Sequence, residues 1–470
     1  MLEAIDTLLS EVSGYLWGYV LLFCLLGTHL YLTVILRFPQ LYFFRALKYY
    51  FGKGQSDKEG QISNFSSLMV SLAANVGTGN IVGVAVAVAT GGPGAVFWCM
   101  MTGVLGMATR YAESLLAIRY RVQDRAGNVL GGPMYALERG LKCRWLAVLF
   151  AVFTAIAAFG IGNVTQANAV SGVLAECTLH VPGWLTGVVL AGLVGAVLIG
   201  GIQSISRVCS ACVPTMAVLY MVGCVILLCV HADYVWPAVC RIFESAFSNQ
   251  AAAGGFIGST IMLAMQNGVR RGLFSNEAGM GSSPIISAPA RTDNPVQQAL
   301  VAGTGPFWDT VVICTLTGVT LTTTIMAVPE VTSDSGELLT YHSFATIGGI
   351  GSLLLTISLA AFVVSTVLGW SYFGEKALQY LGGSRLVLPY RALWVVMVFV
   401  GCVIPKSSIV WNFADIANGL MAIPNLICMV GLSGVLISQT RYYLWQNRLD
   451  EVDTTPIPVV DDSDTSSKSA

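Results

Sequence analysis

Apolar residues gather in eleven long stretches along the chain, and polar residues fall mainly between them. A helix needs about 20 apolar residues to cross the hydrocarbon core of a bilayer. By that measure the candidate spans lie near 15–36, 62–90, 94–118, 145–177, 183–202, 208–231, 251–290, 296–327, 344–374, 387–404 and 409–438. None has the ten-residue alternation of a membrane β-barrel strand. The pattern predicts an all-α integral membrane protein of about eleven transmembrane helices. Two stretches interrupt their own apolar run. The span 62–90 carries AANVGTGNIVG (Ala73–Gly83) at its middle, and the span 251–290 is interrupted by Gln266, Asn267, Gly268 and Gly272.

Each glycine in a helix interior costs about 1 kcal/mol relative to alanine, and Gly77, Gly79 and Gly83 stand within seven residues. Close helix packing accounts for glycines but not for Asn75 and Asn80 beside them. A helix broken at mid-depth accounts for both. Non-helical backbone is tolerated there only where it lines a cavity or is buried in protein. Freed carbonyls can then ligate a cation, and the half-helix N-terminus can hold a carboxylate.

Two interrupted helices at matching places in two halves are the mark of an inverted-repeat transporter. The spans therefore divide into a first five-helix repeat, 62–231, and a second, 251–438, entering from opposite sides. This gives a 5+5 core with one peripheral N-terminal helix. Residues 1–60 comprise that helix and a polar cytoplasmic linker, GKGQSDKEG at 52–60. Residues 439–470, ending in DDSDTSSKSA, are polar and acidic and read as a disordered cytoplasmic tail.

Composition agrees with the spans. The chain is 55% hydrophobic and 10% charged, with a mean hydropathy of +0.71, whereas soluble domains carry roughly 25% charged residues. The net charge of −1 is uninformative; where the charges fall is not. With the N-terminus outside, 22 of the 24 Lys and Arg lie on the inner side, leaving Arg241 and Lys406 outside. That bias predicts a multi-pass protein of the cell membrane with a cytoplasmic C-terminus. Most of the 12 cysteines sit inside apolar runs and read as small buried hydrophobes. No HExxH, GxSxG or Walker A motif is present, and the four histidines (His29, His180, His231, His342) read as span-end or loop residues. Neither an enzyme nor a cofactor is expected, and no nucleic-acid partner. A channel would need a continuous polar stripe or a charged ring, and the polar residues here cluster at mid-depth instead.

Several motifs together resemble the alanine/glycine:cation symporter family: NVGTGNIVGVAVA, GGPGAVFWCM, GGPMYALERGL at 131–141, GVRRGLFSNEAGMGSSP at 268–284 and LGWSYFGEKA at 368–377. The resemblance spreads over most of residues 62–440. It implies the leucine-transporter-type fold and uptake of small amino acids, alanine or glycine, coupled to sodium. It also implies a sodium site between the first and eighth core helices. That site would take the backbone carbonyls of Ala73 and Val76 and the hydroxyls of Ser365 and Thr366.

A zwitterionic substrate needs N–H donors for its carboxylate, acceptors for its ammonium and a small apolar wall. Gly77, Thr78 and Gly79 offer backbone donors and a hydroxyl, and the glycines allow close approach. In folds related by the resemblance, the equivalent glycines lie against the carboxylate. Gln166, a polar residue in the middle of its span, with Asn163 nearby, is a further substrate candidate; so are Gln266, Gly268 and Trp370. Asn75, Asn80 and Asp309 are additional candidate sodium ligands. Asp309 lies mid-span in GPFWDTVVICTLTG, where a carboxylate costs on the order of 3 kcal/mol and is functional by default. Arg270 and Arg271 are its possible partners. Glu277 and Asp415 read as nearer the membrane ends, in solvated or gating roles. The sequence thus predicts a sodium-coupled symporter of small neutral amino acids, with a proton-coupled carrier or a channel-like permease as alternatives. The oligomeric state stays unassigned.

Overall fold

Long apolar runs with few helix breakers become helices, and the computed structural model is helical almost throughout. It describes residues 2–50, 60–176, 180–249, 256, 260–332, 338–404 and 407–460. Most of the 52–60 linker and residues 461–470 of the tail lie outside the described residues. The only sheet among the described residues is a hairpin of β1 (Val122–Gln123) and β2 (Val129–Leu130).

The first candidate span is two helices, α1 (Leu2–Leu16) and α2 (Tyr19–Ile35), followed by a short α3 (Phe43–Lys48). It begins earlier than hydropathy placed it, because α1 is anchored by contacts that hydropathy does not see. Ser408 Oγ donates to Asp6 at 2.8 Å, and Trp17 Nε1 to the Asp415 carbonyl at 2.8 Å. The second span is broken: α4 (Asn64–Asn75) and α5 (Val84–Gly91) are joined by non-α backbone, and the two halves meet at 52°. Then come α6 (Gly94–Arg119), α7 (Pro133–Arg139), α8 (Arg144–Phe159) and α9 (Thr165–Glu176), the last two joined through a wide π-turn at Gly160–Val164. Next are α10 (Gly183–Leu198), α11 (Gly201–Val230) and α12 (Ala232–Phe247).

The second interrupted segment is α13 (Ile261–Asn276) and α14 (Pro284–Ser287). It is followed by α15 (Pro295–Gly303) and α16 (Thr315–Ala327), joined through a π stretch at Phe307–Cys314. The chain ends in α17 (Leu339–Ala345), α18 (Gly349–Gly382), α19 (Val387–Val403), α20 (Ser407–Gly431) and α21 (Ser433–Thr440). Every candidate segment coincides with a helix or a helix pair. Seven helical stretches among the described residues are long and apolar enough to cross a membrane, and eight if the bent pair counts as one span. The shorter α10 and α13 have 16 residues each, and α6 carries Arg110 and Glu113.

The second break does not fall where its glycines suggested. Gln266, Asn267, Gly268 and Gly272 lie within the continuous helix α13. Gly268 and Gly272 serve helix contact instead: a Cβ at Gly268 would meet Ala95 and Trp98 of α6, and one at Gly272 would meet Cys99 and Thr102. The backbone leaves the helix one turn later, where Glu277, Gly279 and Gly281 adopt φ of 55°, 91° and 82°. The glycines there relieve the left-handed conformation.

The tail differs too. Its stretch up to Val460, read as disordered, is strapped onto the protein. Asn294 Nδ2 donates to the carbonyls of Leu449 and Glu451 at 2.8 and 2.9 Å, Asp453 N to the Asp293 carbonyl at 2.7 Å, and Val460 N to the Gln123 carbonyl at 2.9 Å. Cys209 and Cys212, a CxxC spacing on α11, are free thiols, as are the other described cysteines.

Candidate cation and amino-acid site

The first break opens three positions before the π-turn at Gly79–Gly83. Val76 leaves the helix at φ −76°, ψ 89°, so nearby carbonyls lose their chain partners. A side chain of α18 takes them up: Thr366 Oγ1 lies 2.9 Å from the Ala73 carbonyl and 3.3 Å from that of Val76. Two freed amides are held by neutral side chains. Gly77 N donates to Asn80 Oδ1 at 2.9 Å and Thr78 N to Gln166 Oε1 at 3.0 Å. Gln166 is itself aimed by its Nε2, which donates to the Ile161 carbonyl in the π-turn between α8 and α9 at 2.8 Å. A Cβ at Gly77 would lie 2.5 Å from Thr366 Oγ1 and 3.0 Å from Gln166 Oε1. Only glycine fits between the carbonyl cluster and the amide donors. Thr78 Oγ1 is buried without a partner among the described residues.

The second break crosses the first. A Cβ at Gly79 would lie 3.1 Å from Phe274 Cδ1 and 3.4 Å from Ser275 Cα. Asn75 ties the two together: its Nδ2 donates to the Asn276 carbonyl at 3.0 Å, and its Oδ1 accepts from Ser283 Oγ at 2.9 Å. Glu277 sits in the break, fully engaged. Its Oε1 accepts from Trp370 Nε1 at 2.8 Å, and its Oε2 from Ser282 Oγ at 2.5 Å and Ser283 Oγ at 3.2 Å. Trp370 presses against Gly162 of the π-turn, where a Cβ would collide with it.

A third cluster forms where α15 widens into α16. Asp309 is completely buried. Its Oδ1 accepts from Asn80 Nδ2 at 2.7 Å, and its Oδ2 accepts from Ser275 Oγ at 2.8 Å and Thr310 Oγ1 at 2.6 Å. One carboxylate thus ties the turn after the first break to the last turn of α13 before the second.

The structure therefore brings together Ala73, Val76, Gly77, Thr78, Gly79, Asn75, Asn80, Gln166, Thr366, Trp370 and Asp309. Three predicted residues stand elsewhere. Gln266 lies on the outer side of α13, lining an apolar groove with Leu16, Leu21 and Ile427, and Gly268 packs on α6. Both were placed in the site by the glycine pattern, which marks a helix crossing here. Ser365 is turned away from the break: its Oγ donates to the Phe362 carbonyl at 2.9 Å, within its own helix. Successive residues on a helix point about 100° apart, and in this arrangement Thr366 Oγ1 is the hydroxyl that reaches the break.

Other expectations change as well. Arg270 and Arg271 pair with Asp415 of α20, not with Asp309. With Arg110 they are at least partly buried inside helices, so they carry no weight in a count of loop charges. Glu277 and Asp415 are buried, not solvated at membrane ends, and His29 is buried mid-helix in α2 beside Thr109 Oγ1 at 2.8 Å. Arg110, Glu113 and Ser275 are not among the candidates that the sequence offers. Arg110 and Glu113 carried a legible signal, two charges three residues apart inside an apolar run.

Residues 2–456 match the sodium:alanine symporter family. The chain belongs to that family. It is 47% identical over 444 residues to the sodium/alanine symporter AgcS of Methanococcus maripaludis, covering 93% of this chain and 97% of that one. It is 44% identical over 454 residues to an uncharacterized transporter of Haemophilus influenzae, covering 96% and 98%. It is 34% identical over 452 residues to the probable sodium/glutamine symporter GlnT of Bacillus subtilis, covering 95% and 92%. The crystal structure of MhsT in complex with L-phenylalanine, a protein of the leucine-transporter fold, superposes with a TM-score of 0.59 at 15% identity, covering 85% of this chain and 94% of that one. That likeness concerns the fold alone. The sodium:alanine symporter family is one of membrane transporters, not of enzymes.

Proposed function

We propose that the protein carries small neutral amino acids, alanine and glycine, into the cell together with sodium by alternating access. The observation that carries this reading is the first break, where freed carbonyls and freed amides stand back to back across Gly77. Oxygen ligands suit a hard monovalent cation. Sodium takes the carbonyls of Ala73 and Val76 with Thr366 Oγ1, whose hydroxyl then turns its lone pairs to the ion. A second cation position lies at Asp309, Asn80 and Ser275.

The substrate carboxylate displaces the Gln166 and Asn80 amides from Gly77 N and Thr78 N, since a charged acceptor makes the stronger hydrogen bond. Its ammonium meets the carbonyl end of α13 at Phe274 and Ser275, beside Gly79. Trp370, braced against Gly162, walls the side-chain space and favours a small residue. A zwitterion gains nothing from the membrane potential alone. A co-bound cation adds about 2.3 kcal/mol per 100 mV, provided that half-loaded carriers do not reorient.

On this reading the eleven spans form a 5+5 inverted repeat, 62–231 and 251–438, with 1–60 peripheral, the N-terminus outside and the C-terminus cytoplasmic. The relatives named for sodium/alanine and sodium/glutamine symport support sodium as the coupling ion and the neutral amino-acid class. The test is uptake into reconstituted liposomes across a panel of small amino acids. Saturable alanine uptake that follows an imposed sodium gradient is expected. Uptake that needs only a pH gradient would point instead to proton coupling through the buried Asp309, and flux that does not saturate would reject a carrier.

A further inference from the structure

A helix running on past Asn276 would answer the carbonyls of Phe274 and Ser275 with the amides of Ala278 and Gly279. Both amides are drawn elsewhere. Ala278 N donates to Asn276 Oδ1 at 3.0 Å, and Gly279 N donates to Glu113 Oε1 at 2.9 Å. The same Glu113 oxygen accepts from Gly281 N at 3.1 Å and Asn425 Nδ2 at 2.7 Å. One turn earlier on α6, the Arg110 guanidinium donates to the Asn276 carbonyl and lies 3.8 Å from Glu113 Oε2. Both side chains are buried, Arg110 at 1% and Glu113 at 3% exposure.

A single turn of α6 therefore grips both sides of the second break. The cation is placed on the carbonyl that ends α13, and the anion on the amides that lead towards α14. The cation opposes the partial negative charge of the carbonyl end of α13, and the anion answers main-chain N–H groups of the coil that follows. The first break is treated differently, its freed amides being held by the neutral Asn80 and Gln166. Neutral holders can be displaced by a ligand's charge; a buried ion pair anchored by three N–H donors is a fixed part of the protein.

We infer that Arg110 and Glu113 are positioning residues for amino-acid recognition: by holding the Asn276 carbonyl and diverting Gly279 N, they keep the carbonyls of Phe274 and Ser275 open as acceptors for the substrate ammonium. Glu113 does this without touching the substrate. The inference rests on the reading of the crossed breaks as the amino-acid site. The Thr366 cation cluster is built from other residues, so amino-acid recognition and sodium recognition separate experimentally.

The experiment measures initial uptake by full-length protein in liposomes against alanine at saturating sodium, and against sodium at saturating alanine. Glu113→Gln keeps the shape and one acceptor but loses the charge. The half-saturation for alanine is expected to rise roughly tenfold, the worth of about one charge-assisted hydrogen bond. The half-saturation for sodium is expected to stay within roughly twofold, and Glu113→Asp should recover part of the alanine constant. A folded Glu113→Gln carrier with the wild-type alanine constant overturns the inference, as does one in which only the maximum rate falls with folded yield. If the single variant does not fold, the double variant Arg110→Gln, Glu113→Gln removes both buried charges together, and a wild-type alanine constant there overturns it equally. A wild-type protein that takes up no amino acid under a sodium gradient rejects the carrier reading itself, which is a different outcome from a variant that matches an active wild type.

Discussion

At the residue scale, Ser365 and Thr366 are neighbours with the same chemistry and opposite consequences. Thr366 Oγ1 bridges the Ala73 and Val76 carbonyls, whereas Ser365 Oγ bonds its own helix. Thr366→Val preserves shape and removes the hydroxyl, so the sodium half-saturation should rise roughly tenfold in uptake assays. Ser365→Ala should leave it within roughly twofold. The reverse ranking would place the cation elsewhere. Asp309→Asn keeps an acceptor for Ser275 and Thr310 but removes the carboxylate that bridges Asn80 and Ser275, and sodium-dependent uptake should fall at least roughly tenfold. Gly77→Ala places a methyl 2.5 Å from Thr366 Oγ1, and transport should be lost while the protein still reaches the membrane. These roles were partly legible. The asparagines and glycines of NVGTGN marked a helix that could not run straight, and Asp309 marked itself by its cost at mid-depth. Which of two adjacent hydroxyls faces the ion depends on how α18 is rotated against α4, and no local sequence rule sets that rotation.

At the scale of elements, the two interrupted helices teach opposite lessons about glycine. In the first, Gly77 and Gly79 sit at the break and against its crossing partner. In α13, Gly268 and Gly272 are straight-helix glycines that let α6 approach, and the break falls at Glu277–Ser283, where left-handed φ values recur. Local composition is alike in the two cases; the neighbour that fills the space of the missing Cβ decides between them. Gln266→Ala should accordingly leave uptake kinetics within roughly twofold of the wild type, a result that a site residue would not give. Gly162→Ala should destabilise the protein by about 1–3 kcal/mol through overpacking against Trp370, read as a lower melting temperature in detergent.

At the scale of the whole molecule, the segment after α21 is stitched both to α3 and its neighbour Tyr49 and to the start of α15. Arg45 donates to Asn447 at 2.6 Å, Tyr49 to Asp450 at 3.0 Å, and Gln297 to the Leu449 carbonyl at 2.6 Å. Leu449 is wholly buried, so Leu449→Ala should cost about 2–5 kcal/mol and lower the melting temperature. A fluorescent reporter fused after Ala470 should mature in cells, as the Lys and Arg asymmetry predicts; a dark fusion with an active periplasmic phosphatase in its place would invert the orientation. The sequence by itself determined that the chain lives in a bilayer, roughly where its long apolar helices run, that one helix is broken within Ala73–Gly83, and which family it belongs to. Those properties follow from hydropathy, from helix propensity and from motifs contiguous along the chain. The tertiary structure alone decided where the second break falls, that Asp309 answers to Asn80 and Ser275 and not to arginine, that the polar tail is held down, and that Arg110 and Glu113 brace the second break. Each of these depends on partners between about 30 and 300 residues apart in sequence, brought within hydrogen-bond reach only by the packing of helices whose rotations no local pattern specifies.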